Sequence, residues 1–207
     1  MNAAARSTAT DLPDSSEVRS SILSNGQRIM AGKGFSAVGL NEILAAAKVP
    51  KGSFYHYFGS KDAFGEALLE DYFADYLAEL DATLATPGHT MAERLVHYWQ
   101  GWQSTQSFDD CQGKCLAVKL GAEVADLSEA MRLSLKRGTG AIVQRLEGAV
   151  ALGVQESSLA IDGTPHEVAA NLYQLWLGAS LMAKINRSTE PFETALKATR
   201  TMLRLPG

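Results

Sequence analysis

Apolar residues recur at three- and four-residue intervals along most of the chain, and no alternating run competes with them, which predicts an all-α protein. Val18, Ile22, Leu23, Ile29 and Met30 form a stripe from about Ser16 to Ala31, closed by Gly32-Lys33-Gly34. A shorter helix begins near Gly39 with Leu40, Ile43 and Leu44 on one face. It should stop at Val49-Pro50, because proline disfavours a helical residue before it. A third helix, Lys51 to Phe58, can start at once, since proline is tolerated where a helix begins. A fourth runs from Ser60 to about Leu84, and Thr86-Pro87-Gly88 breaks it. Five further segments follow: Thr90 to Ser107, a short one from Cys115 to Gly121, Asp126 to Leu152, Pro165 to Arg187 and Glu190 to Leu203. Gly138 and Gly140 weaken the middle of the longest of these, and Gly153 to Thr164 reads as a surface loop. The expectation is about nine helices, with a three-helix head followed by a helical body.

The third helix has an unusual division of faces. Phe54, Tyr57 and Phe58 fall at i, i+3 and i+4 and can face a core, leaving Lys51, Gly52, Ser53, Tyr55 and His56 outward. A DNA-reading helix needs such an N-terminal end: a residue without bulk so the backbone can approach the duplex, a cation, and donors for phosphate oxygens. Ser60-Lys61-Asp62 then reads as the N-cap and first turn of the next helix, whose amides and Lys61 can hold another phosphate.

Composition qualifies this picture without changing it. With 46 % hydrophobic and 20 % charged residues in 207, the chain reads as an ordinary soluble protein. No apolar run reaches the roughly 18 residues a bilayer span requires, and no secretory signal precedes the first helix, so the expected location is the cytoplasm. The net charge of −4 looks wrong for a DNA binder until it is divided. Residues 1–61 hold seven Lys or Arg against four acids, +3, so the remainder carries −7. A mildly basic head on an acidic body fits DNA contacts confined to one end. The Ala-, Ser- and Thr-rich residues 1–13 read as a disordered leader, 14–62 as the DNA-binding domain and 63–207 as the regulatory and dimerisation domain.

The run from Gly34 to Phe64, most plainly Lys51-Gly52-Ser53-Phe54-Tyr55-His56-Tyr57-Phe58 followed by Ser60-Lys61, resembles the N-terminal helix-turn-helix of TetR-type transcriptional repressors. The resemblance implies a homodimer on a palindromic operator of double-stranded DNA, with Lys51, Gly52 and Ser53 approaching bases and Tyr55, His56 and Lys61 holding the backbone. Gly39 stands where many such proteins cap the second helix with Ser or Thr toward a phosphate, and Asn41 is the candidate substitute. The resemblance also implies that the two C-terminal helices form the dimer interface, here through Leu172, Leu175, Ala179, Met182 and Leu196.

Cys111 and Cys115 are the only cysteines. A structural disulfide does not suit a reducing cytoplasm, and no His lies nearby in a ligand pattern, so neither metal nor cofactor is expected. Cys115 follows Gly113-Lys114 and begins an apolar run, which places it at a helix N-terminus near Lys114 and Lys119, where positive potential lowers a thiol pKa. The alternative is a small buried hydrophobe. The stretch Cys115 to Arg132, with Leu175-Trp176-Leu177-Gly178-Ala179 and Ala183-Lys184-Ile185, is similar to the N-ethylmaleimide-responsive (NemR-type) branch of that family. That similarity implies a small electrophile or oxidant as inducer, with Cys115 as sensor, Lys184 as its associated lysine and Cys111 as an optional participant. A second reading stays open, in which Trp99, Trp102, Phe108, Tyr173 and Trp176 line a pocket for a reversible ligand. A thiol-dependent enzyme is a third, but the chain has no Gly-rich cofactor loop, no paired catalytic carboxylates and no Cys–His arrangement.

Overall fold

The computed structural model describes residues 15–105 and 115–205, so the expected leader, Phe108 and Cys111 lie outside the described residues. Nine helices occupy the described residues: α1 Ser15–Lys33, α2 Leu40–Ala47, α3 Lys51–Phe58, α4 Lys61–Leu84, α5 Met91–Thr105, α6 Leu116–Leu127, α7 Glu129–Gln155, α8 Pro165–Asn186 and α9 Glu190–Met202. None of them is long and apolar enough to cross a membrane.

The head is α1 to α3 closed over the start of α4. Ile22, Leu23 and Met30 of α1 are buried with Val38, Ile43 and Phe54. Phe54, Phe58 and Phe64 form an aromatic knot with ring centroids 5.1 to 5.3 Å apart, which fixes α3 against α4. The second helix stops earlier than Pro50 requires. Lys48 adopts a left-handed conformation and returns its N–H to α2, while Pro50 serves as the N-cap residue of α3. Ser60 caps α4 as expected, its hydroxyl accepting the Ala63 N–H at 3.0 Å.

In the body α4 packs along α7, α7 along α8 and α8 along α9. The polar ends of these helices are satisfied by local pairs. Thr164 and Glu167 make a reciprocal capping box at the start of α8, and Thr90 and Glu93 exchange equivalent bonds before α5. Two boundaries differ from the sequence expectation. The expected short helix from Cys115 to Gly121 extends to Leu127, and the long helix starts after Ser128, whose hydroxyl accepts the Met131 N–H. That break is set by the side-chain cap, a competitor of helix continuation that apolar periodicity does not register. The expected loop from Gly153 is likewise shorter and docked. α7 continues through Gln155, Leu159 is buried against Gly153, and Ser158 and Ala160 bond to Ala92 and Leu203.

Candidate functional site

At the head, Lys51, Gly52, Tyr55 and His56 are exposed along α3, Ser53 is half-buried, and Gly39 and Asn41 are exposed at the start of α2. The Gly39 N-cap makes no side-chain bond, so a first-turn amide of α2 remains open. Gly52 is not required by the fold: a Cβ there meets nothing within 4 Å, and its φ is not positive. A Cβ added there would protrude from the exposed face of α3. Gly52→Ala is expected to raise thermal stability by up to about 1 kcal/mol, the helix-propensity difference, while weakening DNA binding. A melting curve and a binding isotherm on the same variant check the opposed signs.

Lys61 is placed differently from its expected role as a free phosphate clamp. Its Nζ donates to the Phe35 carbonyl at 3.0 Å and sits 4.7 Å from the Phe35 ring centroid. The ammonium thus ties α4 to the turn after α1, with protons left over for a phosphate.

In the body, Cys115 is the N-cap residue of α6, as the sequence suggested, but it is only 3 % exposed. Burial pushes its thiol pKa up. The backbone N–H of Val118, a hydrogen bond with the Tyr72 hydroxyl, the charge of Lys184 and the Ala117 N–H oppose that rise without cancelling it. The expectation of a low-pKa thiolate is therefore corrected: desolvation outweighs the helix N-terminus and the ammonium. Lys184 is half-buried and acts on Cys115 electrostatically, yet a thiolate–ammonium pair is not the resting arrangement. Lys114 lies outside the described residues.

The thiol forms part of the wall of a cavity of about 670 Å³ between α1, α4 and α5, which Tyr72, Tyr76, Tyr98 and Trp102 also line. Sequence reasoning missed the three tyrosines. The i, i+4 spacing of Tyr72 and Tyr76 on α4 was the available signal, and it reads equally as core. Of the four described aromatics among those expected to line a pocket, Trp102 borders this cavity and Trp99, Tyr173 and Trp176 do not. Trp99 and Trp176 are buried and stacked at 4.9 Å, with Phe192 stacked beyond at 6.1 Å, and belong to the core. The Trp102 and Trp176 indole N–H groups donate to Ser180 and Thr199, both at 2.9 Å. Tyr173 lies behind Trp102, buried, with its hydroxyl unpartnered among the described residues.

A carboxylate links this region to the head. Glu123 on α6 accepts the backbone N–H of Phe35 at 3.0 Å and of Ser36 at 2.7 Å. Gly34, at φ +92°, turns the chain into this grip and leaves no room for a Cβ against the Glu123 carboxylate. Burial would raise the Glu123 pKa, but the bonds from Ser36 and Phe35 outweigh it, helped by Lys119, and the net direction is down.

The expected dimer residues divide. Leu172 and Ala179 point into the subunit core and are corrected to structural positions, whereas Leu175 and Leu196 are half-buried and Met182 is exposed. Leu181, Met182 and Ile185 of α8 are 52, 45 and 64 % exposed, an apolar strip on the outer face of the helix. A helix that is apolar on both sides leaves its inward face undetermined by periodicity.

Comparison with known proteins places these features in context. Residues 22–68 match the family described as bacterial regulatory proteins, tetR family, and residues 92–199 match the tetracyclin repressor-like C-terminal domain. The chain is 41 % identical over 195 residues to the HTH-type transcriptional repressor NemR of Escherichia coli (strain K12), covering 92 % of this chain and 96 % of that protein. It is 33 % identical over 179 residues to the HTH-type transcriptional repressor DhaR of Mycobacterium sp. (strain GP1), covering 86 % and 88 %. The crystal structure of E. coli NemR in its reduced form superposes with a TM-score of 0.87 at 41 % identity, covering 92 % of this chain and 99 % of that one.

Proposed function

The chain belongs to the TetR family of bacterial transcriptional regulators, and from that premise we propose that it is a homodimeric repressor whose operator is released when Cys115 is modified by an electrophile or oxidant. One observation carries this reading: the thiol stands at the N-terminus of the helix whose other end, through Glu123, grips the DNA-binding head. Eight residues of helix span about 12 Å, so displacement at one end reaches the other through a single rigid element.

The trigger is a change of volume rather than loss of a resting ion pair. An adduct on a thiol buried to this degree must extend into the adjoining cavity or displace the side chains packed around it, and overpacking forces backbone shifts. An adduct on Cys115 pushes the start of α6 away from Tyr72, and Glu123 moves with it. DNA contact is assigned to Lys51, Gly52 and Ser53 near the bases, and to Tyr55, His56, Lys61 and Asn41 along the backbone, with Gly39 at the open end of α2. A single head gives few base contacts, and a two-fold partner doubles them on a palindromic site. Leu175, Met182 and Leu196, with Leu181 and Ile185, are the surface assigned to that partner.

The test is fluorescence anisotropy with DNA from upstream of the protein's own gene, on wild type, Cys115→Ser and Cys111→Ser, before and after a mild electrophile. Wild type is expected to lose the duplex on treatment and Cys115→Ser to keep it. Release from Cys115→Ser as well would place the trigger elsewhere. The cavity favours a second reading, a reversible ligand, which release of Cys115→Ser by a non-electrophilic compound would support.

A further inference from the structure

A second cavity, of about 500 Å³, lies between the C-terminal end of α4, the first half of α5 and the C-terminal end of α9. Ala92, Val96 and Leu205 give it an apolar side, and Arg94 and Arg200 bring two guanidiniums to it from different helices. An apolar cavity with a few convergent polar groups is the form a small-molecule site takes.

Arg94 carries the chemistry furthest. It is half-buried, and its Nη1 donates to the Leu84 carbonyl at 2.8 Å, which anchors the guanidinium plane at the end of α4. Its Nε is buried with no hydrogen-bond partner among the described residues, and none of the ion pairs there involves Arg94. A charged group whose buried donor goes unpaired is costly to the fold, and an oxyanion is the partner that answers both the donor and the charge.

The acids nearby are committed elsewhere. Glu93, the one carboxylate among the described lining residues, accepts the Thr90 N–H at 2.7 Å and the Thr90 hydroxyl at 2.9 Å, and these bonds hold its pKa down. Glu156 lies outside the lining, feels the Arg94 charge, and gives its carboxylate to the Met91 N–H and the Ser158 hydroxyl. With His89 and His97 counted as neutral, two guanidiniums against one carboxylate leave the lining with a single positive charge.

We propose that this cavity binds an organic monocarboxylate, with its oxygens on Arg94 and Arg200 and its apolar body against Ala92, Val96 and Leu205. One net positive charge suits a monoanion, and the apolar side disfavours a fully hydrated ion such as inorganic phosphate. The planar fork of arginine matches the two oxygens of a carboxylate, a fit that lysine does not reproduce. The site is separate from Cys115, but Thr83 and His97 line both cavities, so the two share a wall and a variant is needed to tell them apart in solution.

The test is isothermal titration calorimetry on the full chain with sodium benzoate and sodium hexanoate, and with benzamide as the neutral counterpart of benzoate. At least one carboxylate is expected to bind once per chain, and benzamide about tenfold or more weakly than benzoate if benzoate is the one that binds. Arg94→Ala and Arg200→Ala should each weaken the carboxylate about tenfold or more, and Arg94→Lys should fall between alanine and wild type. Arg28→Ala removes a cation that lines the cavity beside Cys115 and should leave the affinity within about twofold. Because Arg94→Ala also releases the Leu84 carbonyl, each variant is melted first, and Arg94→Lys and Arg200→Ala carry the result if the alanine protein does not fold. Silence with both carboxylates, benzamide binding as tightly as benzoate, or a loss caused by Arg28→Ala and not by Arg200→Ala would each overturn the site.

Discussion

Replacing Glu123 by alanine is expected to lower operator affinity about tenfold and to make the remaining affinity insensitive to modification at Cys115. The tenfold figure corresponds to about 1.4 kcal/mol. Hydrogen bonds to a charged group contribute about 1.5–3 kcal/mol each when shielded, but Glu123 is only half-buried and both contacts are discounted accordingly. What the carboxylate fixes is the turn between α1 and α2, and with it the angle at which the reading helix meets the duplex. Glu123→Gln retains an acceptor oxygen without the charge and should fall between alanine and wild type. The grip also has a definite pH dependence. A carboxylate whose folded-state pKa is lowered contributes above its unfolded pKa, and that contribution is lost as pH falls through the folded value. Coupling should therefore be constant across neutral pH and fail only in acid. Anisotropy titrations of the three proteins, with and without the electrophile, separate loss of affinity from loss of response. An alanine variant that still released DNA on modification would remove Glu123 from the path.

The reading head was legible because its signals are local. Phe54, Tyr57 and Phe58 define the buried side of α3 by spacing alone, and Ser60 announces α4. The body was legible as helices but not as a site. Sequence placed Cys115 at a helix start and counted the nearby positive charges. It could not weigh them against burial, which the tyrosines of α4 and α5 impose from 43 and 17 residues away in the case of Tyr72 and Tyr98. Glu123 and Phe35 stand 88 residues apart, and nothing in either neighbourhood marks the bond. In α8 the inward residues Leu172, Trp176 and Ala179 and the outward residues Leu181, Met182 and Ile185 are equally apolar. Only the position of α7 and α9 distinguishes them.

Two of the four glycines of α7, Gly138 and Gly140, make the same point with opposite signs. By propensity alone Gly138 and Gly140 each weaken the helix by about 1 kcal/mol relative to alanine. At Gly140 a Cβ meets nothing within 4 Å, so Gly140→Ala should stabilise by up to about that amount. At Gly138 a Cβ would fall inside the Phe73 ring, on the face where α4 and α7 approach each other closely. Gly138→Ala must therefore move an aromatic side chain that is itself buried, an overpacking that costs about 1–3 kcal/mol and exceeds the propensity gain. For a protein of this size each kcal/mol is about 2–4 °C in Tm, so the two variants should melt on opposite sides of wild type. The displacement also has a functional reach. Phe73 packs edge-on to Tyr72 at 5.1 Å, and Tyr72 is the residue bonded to the Cys115 thiol. Gly138→Ala is therefore expected to change the rate at which Cys115 is alkylated in the folded protein, and Gly140→Ala is not. Thermal melts paired with adduct mass measurements decide it, and a Gly138→Ala protein that melts at or above wild type would mean that α4 and α7 do not approach as closely as the structure has them.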